Sequence, residues 1–158
     1  MSAIIQGYQL RTAQFGTQVI KGPSTPPNSG SSATIATVAG GSVLVTSMLG
    51  LVTTVMSGST GQVSIGTVPT TGTASTTGIA AAAVLGGKEV GTWLVPLVSA
   101  GVGGTLVVGG NAGAALFLPT PFIVSAGTIN WTTSVATMTG QVKWYFTYVA
   151  LDNGAALS

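Results

Sequence analysis

The most regular pattern of hydrophobic and polar positions lies in residues 121–154, PFIVSAGTINWTTSVATMTGQVKWYFTYVALDNG. Aromatic and β-branched side chains alternate from Val142 to Ala150, as they do along a half-buried strand. One face of this strand would hold Val142, Trp144, Phe146 and Tyr148, and the other Lys143, Tyr145, Thr147 and Val149. Gly127–Thr133 predicts a second strand, with one face made of Ile129, Trp131 and Thr133. Because the short connection ends in Gly140, the two segments predict an antiparallel hairpin whose aromatic face anchors a β core.

Short apolar segments broken by glycine and polar residues continue the strand pattern upstream. Strands are predicted over residues 34–38, 42–49, 51–56, 62–68, 90–97, 105–108 and 114–118. Gly50 predicts a bulge or kink, and hairpins are predicted over residues 51–68 and around GGNAG at 109–113. Residues 79–85 (IAAAAVL) are good helix formers with room for two turns at most, and the residues after Asn153 predict a tail. The pattern predicts an all-β fold, a β-sandwich or jelly-roll-like body of about 8–10 short strands.

The N-terminal residues 1–33 predict an extended arm and linker ahead of a body at residues 34–158. Large apolar side chains are dispersed through residues 1–21 without helical or alternating spacing, and residues 22–33 (GPSTPPNSGSSA) have the composition of a linker. Two interpretations stay open for the arm. It supplies an edge strand to its own domain, or it docks on a partner through the apolar side chains of Tyr8, Leu10, Phe15 and Ile20.

Charge is scarce along the whole chain. The charged residues are Arg11, Lys21, Lys88, Glu89, Lys143 and Asp152. The four cations are scattered, whereas nucleic-acid binding needs clustered Lys and Arg, so no nucleic-acid partner is predicted. A free monomer normally carries many charges of both signs. We therefore expect a surface made polar by Ser, Thr and Gln, and partly covered by copies of the same chain.

The mean hydropathy of +0.63 makes a membrane-spanning helix worth testing. The best segment, Ala33–Met56, is long enough to span. It is rich in Thr, Val and Gly and has no Lys or Arg near its ends to set an orientation. Buried strands are therefore favoured, and no membrane partner is predicted. The N-terminus shows no signal-peptide pattern.

Catalytic chemistry has few candidate residues. The chain has no Cys and no His, and two isolated carboxylates, Glu89 and Asp152, make acid–base catalysis or a carboxylate metal site improbable. Gly86-Gly87-Lys88 lacks the other residues of a phosphate-binding loop. We predict a non-enzyme with no catalytic, cofactor or metal site. The three tryptophans, Trp93, Trp131 and Trp144, could stack on sugars or bases, but core or interface positions are the commoner role.

Three segments carry a family resemblance: GGSVLVTSMLGLVTTV (40–55), VGTWL (90–94) and PFIVSAGTINWTTSVATMTGQVKWYFTYVALDNGA (121–155). Together with the preceding arm, the chain resembles small β-sandwich virion proteins of tailed bacteriophages, of the head decoration, cement or head-fibre type. The resemblance implies a structural protein that decorates or cements the capsid surface through oligomeric, mostly uncharged contacts. Its expected form is a homotrimer made in the host cytoplasm, with the major capsid protein or another virion protein as partner. The alternative is a tail or fibre adhesin domain that binds surface glycans.

Overall fold

The computed structural model describes residues 7, 12, 14–58, 60–99, 102–110, 113, 120–134 and 138–158. Almost all of its regular structure is β, and the predicted all-β class is confirmed. The strands are β1 (Thr17–Ser24), β2 (Ser32–Ala39), β3 (Val43–Thr54), β4 (Gln62–Pro69), β5 (Ser75–Val84), β6 (Trp93–Ser99), β7 (Val102–Val108), β8 (Phe122–Val124), β9 (Gly127–Ser134), β10 (Gln141–Ala150) and β11 (Ala156–Leu157).

The strands form two antiparallel layers that pack face to face as a sandwich. Hydrogen bonding follows the order β1-β10-β3-β6-β7-β5-β4-β9-β2-β11, with β8 beside β3. Layer one, as we call it, consists of β1, β10, β3, β8 and the start of β6, and layer two of β5, β4, β9, β2 and β11. Strands β6 and β7 join the layers, and the pairing of β5 with β7 is parallel.

The core lies between the layers and is centred on two tryptophans. Trp131 of β9 and Trp144 of β10 are both fully buried, and their rings meet edge to face with centroids 5.6 Å apart. The predicted inward faces of both strands are buried, and these are Ile129, Trp131 and Thr133 of β9 and Val142, Trp144, Phe146 and Tyr148 of β10. Since aromatic pairs in this geometry stabilise beyond their buried area, the contact ties one layer to the other.

Two predicted hairpins are wrong. Strand β9 pairs with β2 and β4, and β10 pairs with β1 and β3. The chain passes from layer two to layer one between β9 and β10, because their aromatic faces pack against each other across the core. The hairpin over residues 51–68 fails for a similar reason, since β3 belongs to layer one and β4 to layer two.

Two local predictions also need correction, and a third has no structural test. Residues 79–85 are not helical: all but the last belong to β5, which hydrogen-bonds β4 and β7, so sheet pairing overrides the helix propensity of alanine. The predicted C-terminal tail contains β11, which pairs with β2 and buries Leu157. The predicted strand at 114–118 lies outside the described residues.

Gly50 is not a bulge, because β3 runs through it without interruption. A Cβ atom at Gly50 would lie 2.8 Å from Cζ3 of Trp144 and 3.1 Å from Cδ1 of Leu94. The glycine therefore makes room for the indole ring. The register of β3 with β10 shifts instead at two other places, between Val45 and Ser47 and between Val52 and Thr54.

Replacing Gly50 by Ala is expected to lower the free energy of unfolding by about 1–3 kcal/mol, the usual cost of overpacking a core. The cost arises because the new methyl group would collide with a ring that is confined by Trp131. Urea denaturation of both proteins measures it. A Gly110→Ala variant controls for the loss of a glycine, since a Cβ there meets no atom within 4 Å and the backbone at Gly110 does not have a positive φ. Equal stability of Gly50→Ala and the parent protein would contradict the packing argument.

The second half of the predicted arm is an edge strand of the body. Strand β1 pairs with β10 from Thr17↔Tyr148 to Ser24↔Val142, with a register shift after Lys21. The edge-strand interpretation therefore describes residues 17–24. Within the predicted linker, β1 ends at Ser24, β2 begins at Ser32, and Pro26 is buried.

Candidate interaction surface

The outer face of layer one is apolar. In β3 and β10, residues that alternate with buried core positions point away from the core. The apolar face, as we define it, consists of Ile20, Leu44, Leu49, Leu51, Trp93, Ile123, Tyr145 and Val149.

Strand register arranges these side chains in rows that cross the layer. One row is Ile20, Tyr145 and Leu49, and the next is Lys143, Leu51 and Trp93. Farther along β10 come a polar row of Gln18, Thr147 and Ser47, and a last apolar row of Val149, Leu44 and Ile123. The surface thus has three rows rich in large apolar side chains and one uncharged polar row.

Several of these side chains are strongly exposed to solvent. Ile123 is 66% exposed, Ile20 50% and Val149 42%, while the other members of the apolar face are half-buried by their neighbours. Exposed apolar patches mark interaction sites in soluble proteins, and two of the three apolar rows, those of Lys143 and Tyr145, are adjacent. The face is therefore the strongest candidate functional surface among the described residues.

An aromatic pair lies within this face. The ring centroids of Trp93 and Tyr145 are 5.9 Å apart at an interplanar angle of 45°. The Lys143 ammonium lies 5.4 Å from the centroid of the Tyr145 ring, a distance at which a cation is attracted to an aromatic face. Lys143 is the one charged residue in the four rows, and the ring holds its ammonium close to the sheet.

The outer face of layer two is built differently. Its outward side chains on β2 and β9 include the exposed Ser32, Thr34 and Thr37 and the half-buried Thr128 and Thr132. The Ser32 and Thr132 hydroxyls hydrogen-bond to each other. On β4 and β5 the exposed side chains include Val68 and Val84, while Ser64 is buried. Strands β2, β4, β5 and β9 contain no charged residue. Hydroxyl groups thus predominate along β2 and β9, whereas the outer face of layer one is mainly apolar.

Of the four docking residues predicted from the sequence, one lies on the apolar face. Ile20 lies on the apolar face, directly across from Tyr145. Phe15 precedes β1 and is 62% exposed. Tyr8 and Leu10 lie outside the described residues. Sequence reasoning missed the rest of the face, although apolar side chains on both faces of the segment Val43–Val52 were a signal for it.

The tryptophans divide between the core and the surface. Trp131 and Trp144 have no exposed area, so neither can stack on a ligand, and the predicted core role is confirmed for both. Trp93 is partly exposed.

Few of the described residues have side chains suited to catalysis or metal binding. The described residues contain no group of three or more His, Cys, Asp or Glu that could hold a metal ion. Of the two carboxylates, Asp152 accepts a hydrogen bond from the Ser42 backbone N–H at 2.6 Å. This contact holds the turn that follows β10 against the start of β3.

The segment Ala33–Met56, tested above as a membrane span, forms most of β2 and all of β3. Across the described part of the chain, no helix has the length and apolar character to cross a membrane.

Comparison with known proteins found no matching family model, no matching curated protein and no matching solved structure. The case for a function therefore depends on the surface just described and on the resemblance in sequence pattern.

Proposed function

We propose that this protein is a structural component of a tailed-bacteriophage virion, which decorates or cements the capsid as an oligomer through mostly uncharged contacts, among them those of its apolar face. The observation that carries the proposal is the contrast between the two outer faces of one sandwich. Layer two exposes hydroxyl groups along β2 and β9, whereas layer one presents leucine, isoleucine and tryptophan side chains, and contact with another protein would cover them.

The composition of the apolar face suits a permanent contact. Permanent interfaces are more apolar than transient ones and are depleted of charge at their centre. Only Lys143 brings a charge to the four rows, and apolar contacts are insensitive to salt, unlike contacts between exposed ions. The proposed partners are copies of this chain and the major capsid protein or another virion protein.

An enzymatic role is not proposed. The chain contains neither His nor Cys, and one of its two carboxylates, Asp152, is hydrogen-bonded within a turn. General acid–base or nucleophilic chemistry needs a positioned base beside the reacting group. The proposed role depends instead on shape and apolar contact.

Counting the chain in purified virions tests this proposal. Quantitative mass spectrometry is expected to give a copy number comparable with that of the major capsid protein, and gold-labelled antibodies are expected to bind the capsid surface. A protein present in the few copies typical of a tail would favour the adhesin alternative. Absence from purified particles would refute a virion role.

The adhesin alternative is supported by one observation, the partly exposed pair of Trp93 and Tyr145 on the apolar face. Aromatic side chains offer stacking surfaces to flat ligands, and this pair could take a sugar ring. Binding on a glycan array that is lost in Trp93→Ala, with an unchanged circular dichroism spectrum, would favour this role. Trp131 is unsuitable for the same test, because its truncation would disturb the core.

A further inference from the structure

We infer that the apolar face binds the same face of a second copy of this chain, so that two sandwiches stack through layer one. The inference rests on the proposed function, since it names the partner of the proposed contact surface. It commits to self-pairing, in which one surface patch meets its own copy across a two-fold axis.

Complementarity favours a second copy of this chain as the partner. An apolar surface gains most when it meets another apolar surface, because water is then released from both. The outer face of layer two carries hydroxyl groups along β2 and β9 and has fewer large apolar side chains, among them Val68 and Val84. Of the two outer faces of the sandwich, the better match for the apolar face is therefore a second apolar face.

The size of the face sets the area that self-pairing can bury. The four rows run from Lys143 to Val149 of β10, and seven residues at roughly 3.3 Å each span about 23 Å. Four neighbouring strands at a spacing of about 4.8 Å cover roughly 19 Å across the layer. The face therefore measures about 440 Å² per copy, and stacking buries about 900 Å² in total, which lies just below the size of standard specific interfaces.

The position of the one charge on the face is also compatible with self-pairing. A surface that pairs with itself brings each charge near its own copy unless the charge lies far from the two-fold axis. Lys143 lies in the end row of the apolar face, while the polar row at Thr147 is nearer the middle of the face. A two-fold axis that lies in the interface between these two rows, perpendicular to the strands, makes the strands of the two copies run in opposite directions. The two ammonium groups then lie toward opposite ends of the interface, and like-charge repulsion is small.

The full chain in solution provides the test, with its mass measured by light scattering and sedimentation equilibrium. The expected mass is that of two copies, or of six where the homotrimer expected from the resemblance pairs through this face, with little dependence on salt concentration. Leu49→Lys places a charge in the middle of the interface and is expected to raise the dissociation constant about a hundredfold or more, because burying an unpaired charge is costly. Thr34→Lys on the hydroxyl face is the matched control and is expected to pair like the parent.

A second variant keeps the test valid if Leu49→Lys fails to fold. Ile123→Lys lies in another apolar row, and a side chain that is 66% exposed can be replaced without disturbing the core. Loss of pairing in a folded Ile123→Lys variant supports the inference. A monomeric parent protein, a mass of three copies, or pairing that survives both substitutions would overturn it. Virions that carry the chain while the purified protein is monomeric would overturn this inference and leave the proposed function standing.

Discussion

Replacing Trp144 by Ala is expected to lower the free energy of unfolding by about 3–5 kcal/mol, the usual cost of truncating a large buried aromatic side chain. Trp144 has no exposed area, packs over Gly50 and meets the Trp131 ring from the opposite layer. Removing it leaves a cavity where the two layers meet, and the surrounding strands cannot collapse into it without breaking their pairing. Urea denaturation followed by tryptophan fluorescence and circular dichroism measures the loss.

Two substitutions serve as controls for this experiment. Lys143→Ala changes the neighbouring residue on the outer face and is expected to alter stability by no more than about 0.5 kcal/mol. Trp144→Phe keeps a ring in the core and removes an indole N–H that has no hydrogen-bond partner, so it should cost less than Trp144→Ala. A Lys143→Ala variant less stable than Trp144→Ala would mean that the faces of β10 are reversed.

The faces of β9 and β10 were predictable because alternation is a local property of the sequence. A strand with Ile129, Trp131 and Thr133 on one side has one evident inward face, whichever strands lie beside it. The same reasoning places Trp144 and Phe146 in the core. Alternation also predicted the all-β class, because few segments of the chain have the length or the spacing of apolar residues that a helix needs.

Strand partners were not predictable from the same pattern. A short connection ending in Gly140 is compatible with a hairpin and also with a passage from one layer to the other. The contact between Trp131 and Trp144 decides between them, and it joins residues that share no sheet neighbour. Gly50 illustrates the same limit, because a glycine inside a strand signals a bulge or a close approach, and only the packing of Trp144 shows which one applies.

The candidate surface was predictable only in part. Ile20 was identified from its place in an apolar N-terminal segment. The larger share of the face comes from β3, where Leu44, Leu49 and Leu51 alternate with buried valines and glycine. A segment that is apolar on both faces is predicted to be buried on both faces. The sequence does not show whether the surface that covers each face belongs to the same chain or to a partner.

Deleting residues 1–21 is expected to destabilise the protein strongly, because the deletion removes most of β1. Residues 17–21 pair with β10, and Val19 packs against the core. Without them, β10 becomes an edge strand with unpaired N–H and C=O groups, which promotes aggregation. The loss of Val19 would also expose part of the core to solvent. We expect a lower melting temperature and a smaller soluble fraction than for the full chain.

Deleting residues 1–13 is the matched experiment, because it keeps β1 intact and removes Tyr8 and Leu10. If these side chains are the docking anchors that the sequence predicts, the shorter deletion yields a body with the melting temperature of the full chain that no longer attaches to virus particles. Circular dichroism melts and a particle-binding assay on both deletions separate the two roles of the N-terminal segment. A protein without residues 1–21 that melts like the full chain would contradict the edge-strand role of β1. Normal particle binding after deletion of residues 1–13 would exclude Tyr8 and Leu10 as docking anchors, since neither side chain remains in that variant.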